Sequence, residues 1–534
     1  MKPILLDCTL RDGAYIVDSM FGEAAIRGII GKLEDSGAEI IECGWLKNKE
    51  HVPGSSFYHV PDDLCRYLSR KKKNVTYTVM IDWDRYDLSF LPPCDGESVD
   101  AIRVVFPHGK HREGVTIGKG ILKKGYKVFF QAANTLAYSD DDLDALADEV
   151  NGSGASALSI VDTFGAMYEE DLERIVARLD HRLSPDVSLG FHSHNNQQLS
   201  FALTTHFIRL LSDGARKTVV DASLCGMGRG AGNATTELVV SYLNRKCGRH
   251  YDMDAIMDAI DTYMGYFSER YKWGYSTPYF IAGLYCCHVN NIAYLLNNHR
   301  TSSRDMRNII ESMDPADRKK YDYDLLEKKY LDTVSRRVDD RDAESKLRAA
   351  LSGREILLVA PGKSSLTEKK KIDAYIKEND PVVIAVNALL EGYRYDYALF
   401  VNPARYDYAK TTAPEKFKEL RRIVLSNVKT AADGDELIVA FDHAAKRGWP
   451  HFDNAVICAL RLLDRIGVRD VAISGFDGFK HVYNESYADP LLPSLNPENG
   501  WDALNEEIRE MFGEFRKNAV SVKRINMITE SYFA

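Results

Sequence analysis

Between Pro3 and about Gly226, eight short apolar runs alternate with amphipathic helical stretches, and no other property of this chain narrows its fold so far. The runs are Ile4–Asp7, Ile40–Cys43, Thr76–Ile81, Ala101–Phe106, Lys127–Gln131, Ala157–Asp162, Val187–His192 and Thr218–Ala222. Between them, apolar residues at helical spacing mark Phe21–Ser36, Asp140–Asn151, Tyr168–Asp180 and Gln197–Asp213. Eight βα units within about 225–245 residues predict an α/β fold, a closed (β/α)8 TIM barrel. An open doubly wound sheet is the competing arrangement.

Barrel closure makes a geometric claim. Strands 7, 8 and 1 become neighbours, so residues near 190 and near 12 meet at the C-terminal rim, where active sites of this fold sit. His192 and His194 stand at i and i+2 at the end of the seventh run and project from one face. Asp12, in Thr9-Leu10-Arg11-Asp12-Gly13, follows the first run. Two imidazoles and a carboxylate suit one divalent cation with open positions, and ligand type alone admits Mg²⁺, Mn²⁺, Fe²⁺ or Zn²⁺.

The neighbouring guanidinium of Arg11 suits a bound anion or a developing oxyanion. Metal and arginine together fit a 2-oxo acid whose adjacent C–C bond breaks to an enolate. Glu42, inside the apolar run Ile40-Ile41-Glu42-Cys43, is costly there unless paired. It is expected either to bridge to Arg11 or to act as an acid/base. Asn233 ends the turn Gly226-Met227-Gly228-Arg229-Gly230-Ala231-Gly232-Asn233, which leads into a helix expected from Ala234. It reads as a metal ligand or as that helix's N-cap. The turn itself reads as a phosphate cradle or as a tight approach to the metal site.

At 534 residues the chain exceeds one ordinary domain. Three segments are expected: the barrel over 1–250, a helical extension and connector over 251–350, and a Rossmann-like α/β domain over 351–534. In the last, strand-like runs begin at Glu355–Ala360, Val382–Val386, Tyr397–Val401, Arg422–Leu425, Glu436–Ala440 and Val471–Ser474. Gly362-Lys363-Ser364 is no P-loop, because Leu357 stands where that motif needs glycine. A looser nucleotide-phosphate turn there is set against a plain strand-to-helix connection.

A net charge of -9 argues against a nucleic-acid binder. No apolar run reaches the ~20 residues of a membrane span. The nine cysteines lack any Cys-x-x-Cys pair and read as reduced thiols, so a cytoplasmic location is expected. A homo-oligomer is compatible with all of this.

Read together, these motifs resemble the DRE-TIM metallolyases, the superfamily of HMG-CoA lyase, 4-hydroxy-2-oxovalerate aldolase and the isopropylmalate and homocitrate synthases. The carriers are Asp7-Cys8-Thr9-Leu10-Arg11-Asp12-Gly13, Ile41-Glu42-Cys43-Gly44, Val161-Asp162-Thr163-Phe164-Gly165, His192-Ser193-His194-Asn195-Asn196 and Gly228-x-Gly230-Ala231-Gly232-Asn233. The resemblance implies metal ligation by Asp12, His192 and His194, with Asn233 as in the lyase branch, and enolate stabilisation by Arg11. Mn²⁺ or Mg²⁺ stand ahead of Zn²⁺ or Co²⁺. The aldolase branch is nearest, because the Claisen synthases carry Glu-Gln where this chain has Ala14-Tyr15. The aldolases place a histidine base where Tyr15 stands, so Tyr15 inherits the proton-transfer position, with Tyr285 and His288 as other candidates.

The expected activity is thus a metal-dependent aldolase or lyase acting beside a pyruvate-like 2-oxo acid. Short pieces of the C-terminal region, among them Val401-Asn402-Pro403 and Ile473-Ser474-Gly475-Phe476-Asp477, resemble a bacterial sialyltransferase-like fold that handles cytidine nucleotides. That implies a nucleotide ligand there. It supports an alternative in which a nucleotide-sugar glycosyltransferase is the main activity and the barrel is accessory. A third reading makes the barrel a non-catalytic metabolite binder.

Overall fold

The computed structural model describes residues 2–299, 301–335, 337–428, 436–480, 486–494 and 500–534. It divides into two compact units, Met1–Val289 with Arg318–Lys320, and Asn290–Asp317 with Tyr321–Ala534. No helix among the described residues is long and apolar enough to cross a membrane.

In the first unit all eight expected runs are strands: β1 (Ile4–Asp7), β2 (Ile40–Leu46), β3 (Thr76–Asp82), β4 (Ala101–Phe106), β5 (Lys127–Ala132), β6 (Ala157–Asp162), β7 (Ser188–Ser193) and β8 (Thr218–Ala222). Each pairs in parallel with its neighbours. Leu6 of β1 faces both Ile40 of β2 and Asp221 of β8, so the sheet closes on itself and the open-sheet competitor is excluded. A two-residue strand, Phe57–Tyr58, is added beside the end of β2.

The outer helices follow from apolar spacing. Glu23–Ser36 buries Ile26, Ile29, Ile30 and Leu33, one face of a 3.6-residue period, and ends at Gly37 with φ 84°. Glu169–Arg182 buries Leu172, Ile175, Val176 and Leu179 in the same way.

Inside the barrel the side chains are layered. Leu6, Ile40, Ala101, Phe129, Ala157 and Val219 form a small apolar cluster. Two residues further along five of those strands stand Glu42, Arg103, Gln131, Ser159 and Asp221, all buried. A period of two keeps both sets on the inner face, so a polar layer lies directly above an apolar floor. His192 is the corresponding residue of β7, two beyond Gly190. Gly190 leaves its place to a neighbour, since a Cβ there would lie 2.4 Å from Ser159 Oγ.

The second unit contains a seven-stranded, wholly parallel sheet. Its strands are β9 (Ile356–Val359), β10 (Val382–Val386), β11 (Tyr397–Phe400), β12 (Arg421–Leu425), β13 (Glu436–Val439), β14 (Asp470–Ser474) and β15 (Arg524–Met527), in the order β13-β12-β11-β10-β9-β14-β15. Sequence periodicity does not reveal β15. Among the described residues it pairs with β14 alone, and its residues are exposed or half-buried rather than alternately apolar. The strand order reverses between β9 and β14, and the loops that follow them meet there. A Cβ on Gly475 would lie 2.1 Å from the Ala360 carbonyl oxygen, and φ of 71° is glycine's region.

Candidate active site

Asp12 ends a single helical turn, Thr9–Asp12, that leaves β1. His192 lies within β7, and His194 follows it and bridges to Asn233. One potential ligand atom from each of Asp12, His192 and His194 lies within 4.8 Å of the others. The residues separated by about 180 positions in sequence do converge.

Their surroundings prepare them for a cation. His194 Nδ1 lies 3.1 Å from the Asp162 carbonyl oxygen, so its proton belongs there and Nε2, 3.5 Å from Asp12 Oδ2, keeps the lone pair. His192 Nδ1 lies 3.1 Å from Asp221 Oδ2, within ion-pair distance but without the alignment of a hydrogen bond. A carboxylate or carbonyl behind each imidazole is the usual support of metal-binding histidine. Burial pushes the His192 pKa down to about 4, with Arg11 adding to the effect and Asp221 opposing it, so the ring is neutral at neutral pH. Burial would raise Asp12, but the Arg11 guanidinium holds it well below the usual carboxylate range.

Asn233 stands at the same place. Its Nδ2 donates to Asp12 Oδ2 at 2.6 Å, while its Oδ1 is buried without a hydrogen bond. A buried acceptor left unsatisfied beside a carboxylate and two imidazoles fits a further cation ligand. The N-cap alternative fails: the helix runs Thr236–Cys247 and is entered through Thr235. The glycine turn is the tight approach rather than an open cradle. A Cβ on Gly228 would lie 2.7 Å from Asp12 Oδ2 and 2.4 Å from Asn233 Nδ2.

Arg11 is held in a buried ion-pair chain. Its Nη1 donates to Asp12 Oδ1 at 2.6 Å and its Nε to Glu42 Oε2 at 2.7 Å. Glu42 accepts a second bond on the same oxygen from Arg103 Nη1 at 2.8 Å. Arg103 Nη2 then pairs with Asp221, which faces His192. Arg103, Glu42 and Asp221 are all fully buried. Of the two alternatives for Glu42, the geometry gives the bridge to Arg11. Arg103 and Asp221 were not singled out from sequence, although each is a charge inside an apolar strand, the signal that marked Glu42.

Tyr15 borders the site. Its ring meets Trp45 edge-on at 5.8 Å, and the Arg229 guanidinium carbon lies 3.7 Å from its centroid. Although 38% of its surface is exposed, desolvation pushes the Tyr15 pKa up to about 12 against Arg229 and Arg11. His288 Nε2 lies 3.4 Å from Arg229 Nη1, and burial pushes that imidazole down to about 3. Tyr285 instead lies under Arg318, 5.1 Å from its guanidinium carbon.

In the second unit the Pro361–Ser365 loop is engaged internally. Ser364 donates its backbone N–H to Asp477 Oδ2 at 2.7 Å, and its hydroxyl also bonds that carboxylate. Asn387, Arg405, Asn454, Asp477, Phe476 and Tyr487 line a cavity of about 110 Å³ where the strand order reverses.

Residues 112–262 match the HMGL-like family model. The chain is 29% identical over 265 residues to an oxaloacetate decarboxylase of Mycobacterium tuberculosis, covering 48% of this chain and 75% of that one. It is 27% identical over 270-odd residues to a 4-hydroxy-2-oxovalerate aldolase of Thermomicrobium roseum, covering 48% of this chain and 72% of that one. A crystal structure of hydroxymethylglutaryl-CoA lyase from Pseudomonas aeruginosa superposes with a TM-score of 0.40 at 19% identity, covering 49% of this chain and 91% of that one.

Proposed function

We propose that the barrel, whose residues 112–262 match the HMGL-like family model, breaks or forms a C–C bond beside a 2-oxo acid. The observation that carries this reading is the meeting of Asp12, His192 and His194 next to the Arg11 guanidinium. Asp12, His192 and His194, with Asn233, would hold a divalent cation, Mn²⁺ or Mg²⁺ first. Such a cation supplies Lewis acidity toward a carboxylate and its neighbouring carbonyl oxygen.

The protein's own groups do the rest. As the C–C bond breaks, its electron pair moves into the carbonyl and an enolate forms; Arg11 offsets that negative charge. Glu42, itself bonded by Arg103, and Asp12 hold Arg11 in place, because a guanidinium bonded at Nε and Nη1 has little freedom left. In this reading Glu42 is a positioning residue. Tyr15, protonated at neutral pH, is a proton donor to the enolate carbon rather than a base.

That last property favours decarboxylation as a second reading within the same chemistry. Aldol cleavage needs a base to take the proton from a substrate hydroxyl. Loss of CO₂ from a 3-carboxy-2-oxo acid needs none: the bond breaks, CO₂ leaves, and the enolate takes one proton. The oxaloacetate decarboxylase among the similar proteins is in keeping with this.

The test is exchange of pyruvate methyl protons with D₂O, followed by NMR at added Mn²⁺ and after complete chelation. Exchange that requires Mn²⁺ and disappears in Asp12→Ala supports the reading. Exchange that survives chelation, or is absent with Mn²⁺, Mg²⁺, Co²⁺ and Zn²⁺ alike, overturns it.

A further inference from the structure

The glycine turn after β8 carries one charged side chain, Arg229, between Gly228 and Gly230. Both neighbours are pinned to the site. A Cβ on Gly228 would lie 2.7 Å from Asp12 Oδ2, and one on Gly230 would lie 2.7 Å from Asn196 Oδ1. The Arg229 backbone is therefore held between a residue packed on Asp12 and one packed on Asn196. Its guanidinium lies flat enough on Tyr15 to bring Cζ within 3.7 Å of the ring centroid, with Nη1 3.4 Å from His288 Nε2.

The charge balance around this side chain is incomplete. Arg11 is matched by Asp12 and Glu42, and Arg103 by Glu42 and Asp221. Among the described residues no carboxylate lies within 4.0 Å of the Arg229 nitrogens, and its guanidinium meets the Tyr15 ring and the His288 imidazole. Stacking contributes roughly 0.5–2 kcal/mol and orients the plane, but it does not neutralise the charge. A half-buried cation left this way at the mouth of a site is a receptor for an anion that comes from outside. The planar fork matches a carboxylate. One uncompensated charge suits a monoanionic group better than a dianionic phosphate.

We propose that Arg229 is a specificity residue that takes a second carboxylate of the substrate, so that the preferred substrates are 2-oxo dicarboxylic acids. This rests on the 2-oxo-acid reading above: one end of the molecule occupies the Asp12, His192 and His194 end of the site, and the other reaches Arg229. Tyr15 is the platform on which the guanidinium rests.

The experiment is isothermal titration of the Mn²⁺-loaded full chain with non-cleavable pairs that differ only in the distal group. These are 2-oxoglutarate against 2-oxopentanoate, and 2-oxoadipate against 2-oxohexanoate. In at least one pair the diacid is expected to bind about tenfold tighter or more, roughly 1.4 kcal/mol. Arg229→Gln should bring the two within about twofold, and Arg229→Lys, which keeps charge without the fork, should fall between. No preference in the native chain, or a preference that Arg229→Gln leaves intact, overturns the proposal. A prior Mn²⁺ titration separates the causes. If native chain and variant bind Mn²⁺ and the monoacids but show no diacid preference, Arg229 alone is wrongly assigned. If the native chain binds no Mn²⁺, the metal reading fails and this proposal fails with it.

Discussion

Asp221 Oδ2 lies 3.1 Å from His192 Nδ1, which sets a carboxylate beside the ring that meets Asp12 and His194. A carboxylate at that place favours the tautomer that carries its proton on Nδ1 and leaves the lone pair on Nε2. Asp221→Asn keeps the shape but can present an amide N–H to Nδ1, which favours the opposite tautomer. Loss of such a supporting carboxylate typically costs about 10–100-fold in metal affinity. Competition of the variant with a chelator for Mn²⁺ checks this, and an unchanged dissociation constant would remove Asp221 from the account.

Arg11→Lys separates charge from geometry. Lysine keeps the cation but cannot bond Glu42 and Asp12 at once as Nε and Nη1 do. If Arg11 holds developing negative charge, kcat should fall about 10²–10³-fold, as when one oxyanion donor is removed, while KM changes little. The assay is steady-state turnover of the 2-oxo acid substrate. A large rise in KM at unchanged kcat would assign Arg11 to ground-state binding instead.

The barrel was legible because each strand is a short apolar run followed by a helix with a clean 3.6-residue stripe. Asp12, His192 and His194 could be placed together because closure makes strand 1 the neighbour of strand 8. Glu42 was visible as a carboxylate in an apolar strand, but its partners were not. Arg103 lies 61 residues from Glu42 and 118 from Asp221, and nothing local says which buried charges face each other across a barrel. Arg229 was passed over within a glycine turn, because its meaning depends on Tyr15, which a distant loop supplies. The edge strand β15 was missed because its mixed exposure erases the alternation that betrays a half-buried strand.

Arg103 ties the polar layer together, and Arg103→Met tests that role. Methionine fills similar space but leaves Glu42 and Asp221 buried without their shared cation. Removing one member of a buried charge set typically costs about 3–5 kcal/mol, because the remaining charges stay desolvated. The denaturant midpoint of the first unit should drop accordingly. The triple variant Arg103→Met, Glu42→Gln, Asp221→Asn should recover part of that loss, since neutral amides need no counter-charge. If the triple variant is less stable than the single one, the penalty lies in packing rather than charge.

Stability of the metal-free chain should fall in acid partly through His192. Its folded pKa is about 4, below the ordinary 6.5, because burial disfavours the imidazolium. Between those values the unfolded chain binds a proton that the folded chain refuses. The contribution is therefore fully present above pH 6.5 and is lost as pH falls through 4, at about 1.4 kcal/mol per unit of that window. Other groups titrate over the same range, so the measurement is a difference: denaturant midpoints of native chain and His192→Gln at pH 7 and pH 5. The native chain should lose more stability than the variant by up to roughly 2 kcal/mol, with the same sign at low and high salt because the cause is desolvation. Equal losses would mean that His192 accepts its proton in the folded state as readily as in water, and a neutral ligand at this position would no longer follow from burial.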